Sequence, residues 1–383
     1  MAIRFVDSAS WCTEFALSTG AGLKYNMDLS ANLSPFLQPG RSSGYAYYFF
    51  DVTWAGYITL GQQANWCDSR SLLVGPANGT HGIDTNIWVY MVGTTPVACV
   101  QLGTDGKIRI FSGGSTVYTQ GALLYASQAT LTPNTWYSID LEWSFPPTGL
   151  GSVSLYVNDV LDTGNPGMPS AFGVAWGATP DTFAMVGVNG GAGGSGYTVC
   201  DLVVSDTRLG PCQVKAYFPG ANALVQWPTV IPATDAAWQA VSEQPPATAP
   251  DGNTSYIGGA TPGQDALFSF PAMDCYAGIL GLAWNVCARD PSAQPLGMVV
   301  RPTPSNGMDV ALGSVQLANA YTVKQAISQS NAGATWVDGA IENAWWGVQA
   351  GVGASVVTQL VLEKVTTRRN LPYQCGQLGS YCY

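Results

Sequence analysis

The chain has 383 residues and a net charge of −10; 47% of it is hydrophobic and only 10% charged. That apolar content excludes a disordered chain, and 14 scattered basic residues exclude the clustered positive footprint that nucleic acid needs. MAIRFVDSASW has no apolar run behind a basic start, so no signal peptide is expected, and no stretch reaches the roughly 18 apolar residues of a membrane span.

In chain order, Ala2–Val6 reads as a strand ahead of an Asp7–Ser8 turn. Tyr45–Asp51, Trp54–Leu60, Ser71–Val74, Ile87–Met91, Val97–Leu102 and Lys107–Ser112 follow, each set off by Gly, Asn, Asp or Pro. Asp105–Gly106 is the strongest hairpin signal among them. Ser115–Tyr118 and Leu124–Ala126 lead into the central stretch, Leu131–Asp162. There Tyr137, Ile139, Leu141 and Trp143 alternate with Trp136, Ser138, Asp140 and Glu142. After a Pro/Gly loop, Val153, Leu155 and Val157 alternate with Ser152, Ser154 and Tyr156. Period-two alternation around such a loop predicts an antiparallel hairpin with one buried face, closed by a tight Asn158–Asp159 turn. Phe183–Val188 and Thr198–Val204 complete the set. Short strands at roughly 8–12-residue spacing, with no helical periodicity, predict a β-sandwich or barrel.

Asp206–Pro211 interrupts the pattern. Beyond it Lys215–Pro219, Ala266–Phe270, Ile279–Arg289, Met298–Pro302, Met308–Leu312, Ala320–Lys324, Ala344–Gly353 and Val356–Lys364 read as strands. Val337–Ala344 reads as a one- or two-turn helix and 222–262 as a Pro-rich loop region. The expectation is an all-β chain in three parts: a sandwich over 1–210, a smaller antiparallel β-domain over 211–365, and an exposed tail over 366–383.

The nine cysteines form no CxxC pair, and the single histidine, His81, cannot complete a Cys/His zinc set. The cysteines read as buried thiols, except that Cys375 and Cys382 in YQCGQLGSYCY are candidates for an intermolecular disulfide. His81 reads as a loop residue, and no GxSxG elbow accompanies it. Asp140 and Glu142 share a strand face, as a glycosidase pair would. Ser138 and Ser144 take the flanking positions where a further acid belongs, so the two read as solvated acids. Asn158, Asp159, Asp162, Asp181 and Asn189 offer oxygens without the ordered spacing of a calcium loop. No catalytic residue, cofactor or metal is expected. Trp54, Trp66, Trp88, Trp176 and Tyr197 lie in or near first-domain loops and are candidates to stack on a glycan or meet a partner. Trp345 and Trp346 point to opposite faces if extended.

MAIRFVDS at the start, NTWYSIDLEW and GSVSLYVNDVLDTG in the central hairpin, and CDLVVSD at 200–206 resemble the laminin-G/concanavalin-like jelly-roll proteins of tailed bacteriophages. VKAYFPGAN (214–222), WQAVSEQPPATAPDGNTSYI (238–257) and ATWVDGAIENAWWGVQ (334–349) look like that family's second half. The resemblance departs at Ala9–Ser10–Trp11, where the family carries an aromatic-rich continuation, and in the cysteine-bearing tail. It implies an N-terminal jelly roll and a virion component: capsid decoration, neck, tail or fibre. With sparse charge and no catalytic constellation, the leading expectation is a non-enzymatic structural protein. It would be made in the host cytoplasm and held by other virion proteins in a homo-oligomer, a trimer first. The alternatives are a carbohydrate-binding adhesion module for host-surface glycan and a glycan-cleaving jelly-roll enzyme.

Overall fold

The computed structural model describes residues 2–9, 26–27, 36–39, 41, 45–49, 54–75, 85–164, 173–187, 196–242, 253–273, 278–302, 308–331 and 334–367. Four antiparallel sheets stack as two sandwiches. Sheet I runs Val160–Leu161, Ser152–Val157, Trp136–Ser144, Asn65–Val74, Tyr197–Ser205, Tyr45–Phe49, Phe36–Pro39, with Ile3–Asp7 also pairing along Tyr197–Ser205. Sheet II runs Gln120–Ala126, Ile108–Gly113, Thr95–Leu102, Thr85–Val92, Thr182–Gly187, Trp54–Thr59, Asn26–Met27. This is the expected jelly-roll sandwich.

The second sandwich starts at Cys212. Sheet III runs Thr229–Ile231, Tyr256–Gly259, Ser355–Thr367, Ile279–Arg289, Thr322–Ser328, and Cys212–Tyr217 pairs with the far half of Ser355–Thr367. Sheet IV runs Ala221–Val225, Asp265–Ser269, Trp345–Gln349, Pro295–Arg301, Val310–Gln316.

The central hairpin sits where its alternation predicts. Ile139 pairs with Val157 and Ser144 with Ser152. Ile139, Leu141 and Trp143 point inward with Val153 and Leu155, all at most 1% exposed. Asn158 and Asp159 close the next turn at φ 51° and 71°. Both lie in the left-handed region, which matches the twist of the flanking strands. Burial continues into the loop, because Phe145 stacks on Trp143 at 5.1 Å.

All nine residues of Tyr197–Ser205 are buried. Tyr197, Val199, Leu202 and Val204 join the core of the first sandwich, while Val203 faces the second. Asp201, at φ 56°, is the bulge between the two halves. Before it the strand's free edge takes Tyr45–Phe49; after it, Ile3–Asp7. The outer face of sheet I therefore docks on the outer face of sheet III. Ile3, Val6, Val203, Cys212, Val214, Ala283 and Val365 form one apolar cluster across this seam.

Polar groups lock the seam at its edge. Glu363 is fully buried and its Oε1 accepts the Ser8 amide (2.8 Å) and hydroxyl (2.7 Å). Its Oε2 accepts Asn285 Nδ2 at 3.0 Å. Gln325 accepts the Val6 amide and donates to the Val6 carbonyl, at 3.1 and 2.9 Å. A buried carboxylate is tolerated only when its lone pairs are met in this way.

Three expectations change. Ser115–Tyr118 is a turn, closed by the Thr119 amide donating to the Thr116 carbonyl at 3.1 Å. The 222–262 region supplies strands to both sheets of the second sandwich: Ala221–Val225, Thr229–Ile231 and Tyr256–Gly259. Ser355–Thr367 carries Thr366 (2% exposed) into the segment read as tail. The short helix is present as Asp338–Glu342.

Candidate functional site

The aromatic residues first named as glycan or partner contacts are not on the surface. Trp66, Trp88 and Tyr197 are 0% exposed and Trp176 is 9% exposed. Strand parity turns Trp66, Trp88 and Tyr197 inward, and Trp66, Tyr90, Trp143, Phe145, Trp176 and Phe183 make a continuous set of ring contacts. They are core residues. The Trp54 side chain, His81, Asn189, Cys375 and Cys382 lie outside the described residues. Cys67, Cys99, Cys200, Cys212 and Cys287 are all buried. Burial, and then Glu142, Asp206 and Asp140, push the Cys67 thiol up to about 12, so it stays protonated.

Asp140 and Glu142 do share a face, but only Glu142 is solvated. Asp140 is 2% exposed, capped by Arg208, whose Nε and Nη2 both donate to Oδ2 at 3.2 and 2.9 Å. Arg208 also donates to Asp159 and lies 3.7 Å from the Tyr156 ring. The Tyr156 hydroxyl reaches Glu142 at 3.4 Å. Burial pushes the Asp140 carboxyl above its usual range, against hydrogen bonds from Ser69 and Arg208. Arg208 belongs to the segment joining the sandwiches, and next to it Ser69 donates to the Gly210 carbonyl at 3.1 Å. The cluster fastens that segment to sheet I.

The loop acids considered for calcium face donors instead. Asp162 accepts the amides of Gln128, Ala129 and Gly164 at 2.8–2.9 Å, and the Tyr125 hydroxyl. Burial raises its carboxyl, but these bonds outweigh it and hold the group below its usual range. Asn158 accepts the Ser138 amide at 2.9 Å, and Asp181 the Gly93 amide at 2.9 Å. Among the described residues no group of His, Cys, Asp and Glu is placed to hold a metal ion.

Two constellations were not singled out in the sequence. Asp68 and Arg70 form an ion pair inside the first sandwich, both side chains 0% exposed. Arg70 lies 3.8 Å from the Trp88 ring centroid, and Tyr90 donates its hydroxyl to Asp68. Burial raises the Tyr90 phenol well above its ordinary range. Strand parity was the available signal, since Asp68 and Arg70 alternate in phase with the core residues Trp66, Leu72 and Val74.

The second constellation lies on the outer face of sheet IV. Arg301 holds Asp309 bidentately at 2.7 and 3.0 Å and approaches Asp265 at 3.5 Å. Gln349 donates to Asp265 at 3.0 Å, and the Trp345 ring lies 5.6 Å from the guanidinium. Trp345 is half-buried on this face while Trp346 is buried in the core, the opposition expected of the pair. Burial raises the Asp265 carboxyl, with nearby Asp309 adding to it.

No family model matches the chain, and no curated protein matches it. Among solved structures it is similar to the cellulose induced protein Cip1, at 12% identity over 50% of this chain and 91% of that one, with TM-score 0.35. It is similar to an endo-β-1,4-glucuronan lyase from the fungus Trichoderma reesei, at 8% identity over 54% and 96%, with TM-score 0.37. An alginate lyase, Aly36B, aligns at 11% identity over 55% and 94%, with TM-score 0.29. At such identities the likeness concerns fold. The expectation of a non-enzymatic chain is corrected here, since two of these three proteins are named as lyases.

Proposed function

We propose that the chain is a structural component of a bacteriophage particle, joined to copies of itself or to other particle proteins by direct contacts. The observation that carries this reading is an open edge on the second sandwich. Val310–Gln316 pairs only with Pro295–Arg301 among the described residues. Apolar side chains gather there: Met308 is 70% exposed, Val337 60% and Val310 39%. A cleft of about 130 Å³ lined by Val300, Val310, Leu312, Ile327 and Trp336 opens beside them. An edge strand with exposed apolar side chains is a template on which a second chain can pair. The locked seam supports the same reading, because it joins the sandwiches into one block. The resemblance in the order of the sequence motifs supports a particle of phage origin, and closed symmetry with a trimer is the first expectation.

Mass spectrometry of purified particles tests the assignment: the chain should be present in many copies, and its absence from particles that carry its gene would overturn it. Light scattering tests the contact. Val310→Lys should lower the oligomeric state of the purified chain, and an unchanged state would remove this edge from the interface.

A further inference from the structure

Arg70, Arg109, Arg208 and Arg301 each meet at least one carboxylate. Arg289 meets none among the described residues. Its Nη2 donates to the Asn253 side-chain oxygen at 3.0 Å, and its Nε is shielded from solvent without a hydrogen-bond partner. A half-buried guanidinium that meets only the Asn253 oxygen and the Tyr321 hydroxyl among the described residues has N–H donors to spare for an anion.

Its surroundings have the shape of a site. Arg289 pairs with Val356 and Val356 with Gly258, so all three project from the outer face of sheet III. Beside Arg289, and reaching it at its strand partner Val356, lies a groove of about 210 Å³ lined by Thr229, Tyr256, Gly258, Ser355 and Val356. Gly258 leaves its floor flat: a Cβ there would come within 3.3 Å of Thr229. Asn253, just ahead of Tyr256 in the chain, ties this side of the groove to Arg289 and accepts the Tyr321 hydroxyl at 3.1 Å. The Tyr321 ring lies 5.2 Å from the Arg289 guanidinium.

We propose that this groove binds an acidic saccharide, with one sugar ring against Tyr256 over the Gly258 floor and its carboxylate on Arg289. A volume under the roughly 300–1,000 Å³ of sites for larger ligands suits a single ring. Aromatic rings stack on the apolar face of a sugar, and guanidinium recognises a carboxylate through paired N–H donors. This site is separate from the Val310 edge, and it stands whether or not that edge carries assembly.

Calorimetric titration of the full chain tests it, using a uronic acid trisaccharide, the same trisaccharide with its carboxyls reduced, and sodium acetate. The acidic sugar should bind about tenfold or more tighter than the reduced one, the worth of one charged contact. Arg289→Gln should erase that difference, Arg289→Lys should keep part of it, and Tyr256→Ala should weaken both sugars. Thermal melting of each variant separates loss of the site from loss of the fold. No binding of the acidic sugar, equal binding of both sugars, or binding untouched by Arg289→Gln in a folded variant would overturn the proposal. Acetate binding as tightly as the sugar would leave an anion site and overturn the saccharide.

Discussion

The two sandwiches bury charge in different places. The first encloses Asp68 and Arg70 in its core, between Trp88, Phe183 and Tyr90. The second sets Glu363 at the seam and Arg301 with Asp265 and Asp309 on the outer face, and the lysine it buries, Lys364, lies over the Tyr217 ring, 5.6 Å from its centroid. The free energy at stake differs accordingly. Breaking a buried pair strands a charge in a medium that cannot solvate it, whereas a partly exposed pair is relieved by water.

The largest effect should therefore come from the first core. Arg70→Met leaves Asp68 buried without its counter-charge and should cost about 3–5 kcal/mol in urea denaturation. The double variant Asp68→Leu/Arg70→Met should recover most of that loss. If the single variant costs no more than a surface change, the interior is not the dry medium described.

At the seam, Glu363→Ala removes the acceptor of the Ser8 amide and the shortest of three bonds from Asn285 Nδ2, and should cost about 1–3 kcal/mol. It should also speed proteolysis at 206–211. Equal protection of variant and parent would show that the apolar cluster alone joins the domains. On the outer face, Arg301→Lys keeps the charge but gives up the two-pronged contact of a largely buried guanidinium with Asp309, and should cost about 1–2 kcal/mol. A larger loss of melting temperature would move this cluster into the class of the buried pair.

The smallest effect is a pH slope. Asp162 has its carboxyl lowered in the folded chain. The stability it contributes is present above its unfolded value of about 3.9 and is lost as pH falls through the lower folded value. Asp162→Asn should flatten the stability curve of the first sandwich in that acid window and leave the slope near neutrality unchanged. An identical slope in both proteins would show that the surrounding amides do not hold the charge.

Much of the fold was legible because each hairpin carries its own pattern. Tyr137 to Trp143 alternates without a break, and Asn158–Asp159 supplies a turn whose backbone angles few other residues adopt. The strands at 221–225 and 229–231 were not legible, since they are short, lie among prolines and take their pairing from residues far along the chain. The candidate sites were less legible still. Trp66, Trp88 and Tyr197 looked like surface residues from their nearby turns, yet strand parity, the stronger rule, sends them inward. Asp140 looked solvated because nothing around it in sequence foretells that Arg208 folds back over it. Arg289 and Asn253 are 36 positions apart, and no local pattern links them.

The bond between Ser8 and Glu363 joins residues 355 positions apart. Ile3–Asp7 leaves the ribosome early, but both surfaces that receive it, 202–205 and the strands holding Gln325 and Glu363, are made later. The first sandwich has no complete edge until then, and closing so long a loop is slow. The seam should thus close only once the strands that carry Gln325 and Glu363 have been made, and Ile3–Asp7 cannot hold both of its partners before then.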